Sequence, residues 1–247
     1  MISVINKRLS SGFDLREGEI HTFLNPYSYL LLRQNPELLE QFDVVHFDGI
    51  ALCKIYELFR VRSVPRRSFD MTSVARDVLK AASIEGKRVA FVGTEEGVVD
   101  KAVDTLQKAF SFEVALVRHG FFSSEEELET FQKHLVEVNP DIVIIGMGVN
   151  RQEKFLIQMK GLGWAGTGFT CGGFLHQTAL RLDFYPKAMD RLNLRWLYRV
   201  WRDPYVIRRY LLDYPRFLLC FLSDYLSWRN EKPLVEKVIL TAARQYS

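Results

Sequence analysis

A chain of 247 residues, 48% of them hydrophobic and 26% charged, holds enough apolar surface for one domain of roughly 150 to 200 residues plus an appendage, which excludes a mainly disordered protein. The segment Met1–Ser10 has no apolar stretch suited to a signal peptide, and no run elsewhere approaches the roughly 20 apolar residues of a membrane span, so a cytoplasmic protein is expected. The net charge of +3 is unevenly divided: residues 181–247 carry 13 Lys/Arg against 7 Asp/Glu, whereas residues 1–180 carry 20 against 23.

Residues 1–20 read as an irregular or hairpin entry. His21–Asn25 reads as a strand tip stopped by Pro26, and Tyr27–Leu39 as a helix broken near Pro36. Thr22 and Asn25 are thus left as polar residues at a strand-to-helix junction, where Asn25 before Pro suits an amino-terminal cap. Phe42–Phe47 is a second apolar strand ending in Asp48-Gly49, followed by a helix over Ile50–Phe59. Asp48 has two readings: a cap for that helix, or a general base whose pKa partial burial raises towards working pH. Arg60–Ser68 is a basic loop whose Arg60, Arg62, Arg66 and Arg67 suit phosphate oxygens. Phe69-Asp70 opens the next helix, with Asp70 as a plausible cap and Met71, Val74, Ala75, Val78, Leu79 and Ala82 as its apolar stripe.

Arg88–Gly97 reads as strand, glycine turn and helix start. Its glycines, Gly93 and Gly97, do not match the dinucleotide fingerprint Gly-x-Gly-x-x-Gly, and the next strand ends in Arg118 where a dehydrogenase would present an acid to ribose. These two features weigh against an NAD(P) oxidoreductase. Ser124 and Glu127 form a capping box, and His134 lies near the stripe of that helix and reads as structural. Pro140–Phe155 is the centre of the chain: Ile142–Ile145 suits a strand buried on both faces, and Gly146 and Gly148 are expected to let a ligand approach the backbone. Arg151-Gln152-Glu153 follow at a helix start, more polar capacity than a turn needs. Trp164–Phe174 is a last glycine-rich strand and turn. The alternation of strands and helices predicts an α/β fold, a Rossmann-like, mostly parallel sheet over residues 1–180, with residues 181–247 as a helical appendage. Cys53, Cys171 and Cys220 are far apart and form no Cys-x-x-Cys pair, so neither a zinc site nor a disulfide framework is indicated.

The appendage is rich in Arg and aromatics. Arg191, Arg195, Arg199 and Arg202 are spaced four, four and three apart, one stripe of a helix, with Trp201, Tyr205, Tyr210, Leu211 and Leu212 nearby and Arg208-Arg209 following. Such a stripe either lies on an anionic membrane or pairs with the slightly acidic core. A basic nucleic-acid module is disfavoured, because the core is acidic and carries no nucleic-acid motif.

The stretch Pro140-Asp-Ile-Val-Ile-Ile-Gly-Met-Gly-Val-Asn-Arg-Gln-Glu153 resembles the signature of the WecG/TagA/CpsF glycosyltransferases. Thr22, Asn25, Asp48-Gly49, Arg67, Asp70, Gly93, Gly120-Phe121-Phe122, Gly172-Gly173, Trp196-Leu197-Tyr198-Arg199, Pro204 and Arg208-Arg209 continue the resemblance in order. It implies an inverting transferase that moves N-acetylmannosamine, its uronic acid, or a glucose- or glucuronic-type hexose from a UDP-sugar to a polyprenyl-diphosphate-linked saccharide at the inner face of the plasma membrane. Asp48 would be the base, facing a uridine-diphosphate pocket walled by the Gly146–Glu153 turn. No Asp-x-Asp metal pair is present and no metal or other cofactor is expected, so Arg67 and glycine-loop amides would hold the diphosphate. Thr22, Asn25, Asp70, Gly93, Gly146, Gly148, Gln152 and Glu153 would bind substrate, and Arg195, Arg199, Arg202, Arg208 and Arg209 the membrane. Self-association is also implied, and nucleic acid is not. His176 and Arg195 stand where many relatives carry acids, and a uronic acid donor or an altered acceptor is the expectation drawn from them.

Overall fold

The computed structural model describes residues 1–186, 189, 191–192, 194–202 and 206–245, with residues 232–245 described as backbone only. Pro204 and Tyr205, named above, lie outside the described residues. Six strands, β1 (Ile20–Leu24), β2 (Val44–Phe47), β3 (Arg88–Gly93), β4 (Glu113–Arg118), β5 (Ile142–Gly146) and β6 (Thr167–Thr170), form one sheet in the order β2-β1-β6-β5-β3-β4. Every pairing is parallel, so all six carboxyl ends meet along one rim. The expected α/β architecture is the one observed. Ile142–Ile145 is buried throughout, as a strand with a neighbour on each side and helices on both faces must be.

Helices cover both faces. On one lie α5 (Val74–Glu85), α6 (Val98–Gln107) and α9 (Phe174–Leu180), packed through Val78, Leu79, Val103 and Phe174 against Phe91, Ile144 and Phe169. On the other lie α7 (Glu125–Val138) and α8 (Arg151–Gly161), with Leu135, Phe155 and Leu156 against Val92, Val143 and Ile145. The helix after β5 therefore leaves to one face and the helix after β6 to the other. That divergence opens a crevice at the carboxyl ends, the position where open α/β sheets take ligands.

The third core joins distant parts of the chain. Residues 2–8, expected to be irregular, form α1 (Ile2–Arg8), whose Ile2 and Ile5 fall one turn apart and are fully buried. They pack with α2 (Pro26–Leu32) and α4 (Ile50–Leu58) on Leu24, Val45 and Phe47. Asn25 caps α2 through Oδ1, which accepts from the Tyr27 and Ser28 N–H groups at 3.0 Å, and Pro26 opens the helix. The break near Pro36 is real: α3 (Glu37–Glu40) is a separate short turn. The helix expected from Phe69-Asp70 starts later, at Val74, because Asp70 is used in a turn that accepts from the Thr72 N–H at 2.9 Å.

The tail forms a helix over Arg195–Arg202, a π-helical turn over Arg209–Asp213 and a long helix over Tyr214–Gln245. Phe217 and Phe221 of the long helix are 1% exposed and pack edge-on or tilted against Tyr29 and Tyr56. Tyr29 donates its hydroxyl to Asp224 at 2.7 Å, and Arg33 pairs with the same carboxylate at 2.8 Å. Residues 214–224 are thus built into the amino-terminal core. Among the described residues no helix is long and apolar enough to cross a membrane.

Candidate active site

Asp48 stands where β2 delivers its last side chain to the rim. Its N–H donates to the Leu24 carbonyl at 2.7 Å, which extends the β1–β2 ladder by one residue and fixes the backbone there. The capping alternative is not realised, since α4 is capped by Gly49 with no side-chain hydrogen bond. A Cβ on Gly49 would sit 3.4 Å from both Asn25 Cβ and Pro26 Cδ, so glycine lets the two strand-to-helix turns pass closely. Burial, reinforced by the neighbouring Asp70 carboxylate, pushes the Asp48 carboxyl up to about 7; Arg66, Arg195 and Arg199 offset part of the rise. Asp48 in turn acts on Tyr185, Tyr210 and Tyr214, whose hydroxyls burial also pushes up.

The residues that surround this carboxyl come from the tail as much as from the sheet. Arg195 is 8% exposed; its guanidinium meets Asp70 Oδ2 at 2.6 Å and Ser68 Oγ at 3.4 Å, donates to Thr72 Oγ1, and lies 4.9 Å over the Tyr185 ring. Burial alone would raise the Asp70 carboxyl, but Arg195 and the hydrogen bonds from Thr72 and Ser68 outweigh it and hold Asp70 below its ordinary value. The expectation that Arg195 joins a membrane-facing stripe is therefore corrected: the opposite charge of Asp70 draws it inward. Arg199 is half-buried, hydrogen-bonded to Tyr185, with Nη2 only 3.3 Å from where a Cβ on Gly173 would be. It too faces the site. Arg202 and Arg208 are exposed, and Arg209 lies 4.2 Å over the Tyr27 ring. Arg67 continues the sheet ladder through its N–H to the Phe47 carbonyl at 2.8 Å, and its buried Nε has no hydrogen-bond partner.

The glycine turn is organised differently from the expectation. Glu153 Oε1 accepts from Thr22 Oγ1 at 3.1 Å and from Gln152 Nε2 at 2.9 Å, and Oε2 from the Asn150 N–H at 2.7 Å. Thr170 Oγ1 donates to Thr22 Oγ1 at 3.0 Å, and the Gly172 N–H donates to Gln152 Oε1 at 3.3 Å. Thr22, Gln152 and Glu153 are 0%, 4% and 1% exposed, so their polar groups join the ends of β1, β5 and β6 rather than projecting into solvent. Burial raises the Glu153 carboxyl despite these donors. These side chains are bonded to one another here, and the Asn25 side chain to its cap.

Gly93 and Gly146 also differ from expectation. A Cβ on Gly93 would collide with the Gly146 backbone, and one on Gly146 would come 2.7 Å from the Gly172 carbonyl oxygen and 2.9 Å from Cys171 Sγ. These glycines let loops pack on each other. Gly148, at φ +82, has open space where a Cβ would stand. Asp48 and Gly146 belong to strands three places apart, a separation of roughly 14 Å at the usual strand spacing. They stand well apart along the rim and are not facing walls of a small pocket. A groove of about 500 Å3 lined by Arg118, Glu127, Phe131 and His134 belongs to the opposite sheet edge, at β4.

The described residues contain no group of three or more His, Cys, Asp or Glu side chains arranged to hold a metal ion. Sequence reasoning gave Arg195, Arg199 and Tyr210 to a membrane surface and passed over Tyr185 and Tyr214, all of which lie near Asp48. Their signal was present in the Arg-aromatic spacing and the acidic core, the pairing alternative weighed against a membrane. It also passed over His21 and His46, stacked inside the sheet with Nδ1 and Nε2 3.3 Å apart; burial lowers them to about 4 and about 3.

A parallel sheet whose rim gathers a half-buried carboxyl, several arginines and an open glycine beside a crevice defines a Rossmann-like group-transfer enzyme. The chain belongs to the glycosyl transferase WecG/TagA/CpsF family, whose model matches residues 2–231. It is 32% identical over 206 residues to the UDP-Gal:alpha-D-GlcNAc-diphosphoundecaprenol beta-1,4-galactosyltransferase of Shigella boydii, covering 83% of this chain and 86% of that one. It is 24% identical over 249 residues to the N-acetylglucosaminyldiphosphoundecaprenol N-acetyl-beta-D-mannosaminyltransferase of Bacillus subtilis (strain 168), covering 96% and 94%.

Proposed function

We propose that this protein transfers a neutral hexose, galactose first among the candidates, from its UDP derivative to an N-acetylglucosamine-diphosphoundecaprenol acceptor with inversion. The observation that carries the reading is Asp48: a carboxyl held near neutrality, at the sheet rim, among arginines. Asp48 takes the proton of the acceptor hydroxyl as its oxygen attacks the anomeric carbon, and the sugar–phosphate bond breaks on the opposite face to release UDP. The charge that develops on the diphosphate falls to Arg66, Arg67 and Arg199 with the Gly148 backbone, without a metal ion. Galactose is favoured over a uronic acid because Arg195 is committed to Asp70 and His176 stands 3.6 Å from Glu95. The Shigella relative's name points the same way. N-acetylmannosamine is the second reading, supported by the near full-length match to the Bacillus protein.

The tail supports a seat on the inner membrane face. Trp201 and Leu219 are 71% and 72% exposed, and Ile207, Leu211, Leu212 and Leu218 are exposed with them beside Arg202 and Arg208. Apolar side chains flanked by arginines suit the headgroup boundary of anionic lipid, where a polyprenyl acceptor resides.

The test is release of UDP by the purified protein with UDP-galactose, UDP-N-acetylmannosamine and UDP-glucuronic acid in turn, in vesicles carrying the lipid acceptor, with and without EDTA. Galactose transfer that is insensitive to EDTA and absent in Asp48→Asn is expected. Full activity of Asp48→Asn would remove the mechanism, and transfer of glucuronic acid alone would remove the donor assignment.

A further inference from the structure

The Arg195–Arg202 helix reaches the site through one buried contact. Arg195 is the single side chain of that helix classed as buried, and it enters a socket formed by Ser68, Asp70, Thr72 and the Tyr185 ring. Asp70 is itself held on the other side by the Thr72 N–H at 2.9 Å and hydroxyl at 2.6 Å, so the acceptor is oriented before the arginine arrives. One turn along the helix, Arg199 lies over Gly173, where any larger side chain would meet its guanidinium. A forked cation bound by a carboxylate and two hydroxyls fixes both the depth and the rotation of the helix that carries it, which a single-point ammonium cannot do.

We propose that the Asp70–Arg195 ion pair is the positioning element of this site: it seats the Arg195–Arg202 helix so that the Arg199 guanidinium lies over Gly173 within electrostatic reach of Asp48. Removal of either partner unseats the helix. Removing Asp70 takes a negative charge from beside Asp48 and removing Arg195 takes a positive one, so the two removals act on it with opposite sign. The groups facing Asp48 are Asp70 and Arg66 from the loop between α4 and α5, Cys53 of α4, Arg195 and Arg199 from the tail helix, and the Tyr185, Tyr210 and Tyr214 hydroxyls. Of these, Asp70 and Arg195 are the bonded pair of opposite sign, so the arrangement makes a signed prediction. The proposal rests on the reading of Asp48 as the base only for its consequence in catalysis; the pair and its test do not need a substrate.

The experiment uses the full-length protein and two substrate-free readouts in Asp70→Asn, Arg195→Gln, Arg195→Lys and the double variant Asp70→Asn/Arg195→Gln. The first readout is amide exchange across residues 195–202, expected to quicken about tenfold in both single variants and in the double variant while β5 and β6 stay unchanged. The second is the midpoint of Asp48 ionisation, read from the pH dependence of the stability difference between each variant and its own Asp48→Asn counterpart. That midpoint is expected to fall by about one pH unit in Asp70→Asn, to rise by about one in Arg195→Gln, and to return near the wild-type value in the double variant, which removes one charge of each sign and so covers failure of a single variant to fold. Arg195→Lys is expected to restore the midpoint but not the slow exchange. Unchanged exchange, or midpoints that move in the same direction in the two single variants, would overturn the proposal. An active Asp48→Asn enzyme would instead remove the catalytic reading and leave the pair standing.

Discussion

Replacement of Asp48 by Asn is expected to abolish transfer and to stabilise the protein. The carboxyl is moved from an ordinary value of 3.8 to about 7, so the folded state binds its proton more tightly than the unfolded state does. Stability from this group is therefore complete below pH 3.8 and is lost as pH rises through the window to about 7. At 1.36 kcal/mol per pH unit the full loss is about 4 kcal/mol, and the solvent contact that the side chain keeps at the rim brings the expected figure to about 2 to 4 kcal/mol at pH 8. Asparagine has the same shape and no charge to desolvate. Urea unfolding of both proteins at pH 5, 6, 7 and 8 measures the difference directly, with the slope m confirming that the unfolded states match. A gain for Asn that grows between pH 5 and pH 8, together with loss of UDP release, is the signature of a residue held at a cost for chemistry. A difference that is flat with pH, or an Asn variant that is less stable at pH 8, would refute the desolvated-carboxylate argument.

The buried His21–His46 pair is expected to act in the opposite sense: both are neutral when folded, so stability falls as pH drops below 6.5 towards 4, by about 2 kcal/mol for each ring at pH 5; unfolding of a His21→Leu/His46→Phe variant, expected to lack this acid dependence, checks it. Phe221→Ala is expected to cost about 3 to 5 kcal/mol in urea unfolding, because the ring is 1% exposed between Tyr29, Tyr56 and Phe59. Gly146→Ala is expected to lower stability and UDP affinity together, measured by calorimetry, since its Cβ meets the Gly172 backbone. Arg202→Glu/Arg208→Glu is expected to weaken sedimentation with anionic vesicles while leaving the melting temperature unchanged, with about 1 kcal/mol lost for each arginine removed; unchanged sedimentation would count against the membrane seat.

Much of this architecture was legible because it rests on local rules. The unbroken Ile142–Ile145 run, the Asn25-Pro26 cap and the strand-to-helix alternation each identify an element without knowledge of its partners, and the ordered motifs point to the family. Asp48 was legible as a choice between two roles, because a carboxylate before glycine at a strand end suits both; that its side chain does not cap α4 is visible only in the fold. The glycines misled because a missing side chain is equally useful to a ligand and to another backbone. Gly93 and Gly146 serve the second, and the strand order that brings them together is a long-range fact. Arg195 was misplaced for a related reason: helical spacing groups arginines on a face but does not reveal which of them finds a buried acid 125 residues earlier.

One core unites Ile2 and Ile5 with Phe217 and Phe221, segments from opposite ends of the chain. During synthesis the sheet's β3–β5 side has its covering helices once α9 emerges, but the β1–β2 side waits for residues 214–224 to leave the ribosome. Until then Leu24, Tyr29 and Tyr56 are without their lid, an apolar surface left bare on any nascent chain halted before residue 217. The same delay leaves the half of the sheet that bears Asp48 unfinished until Phe217 and Phe221 arrive.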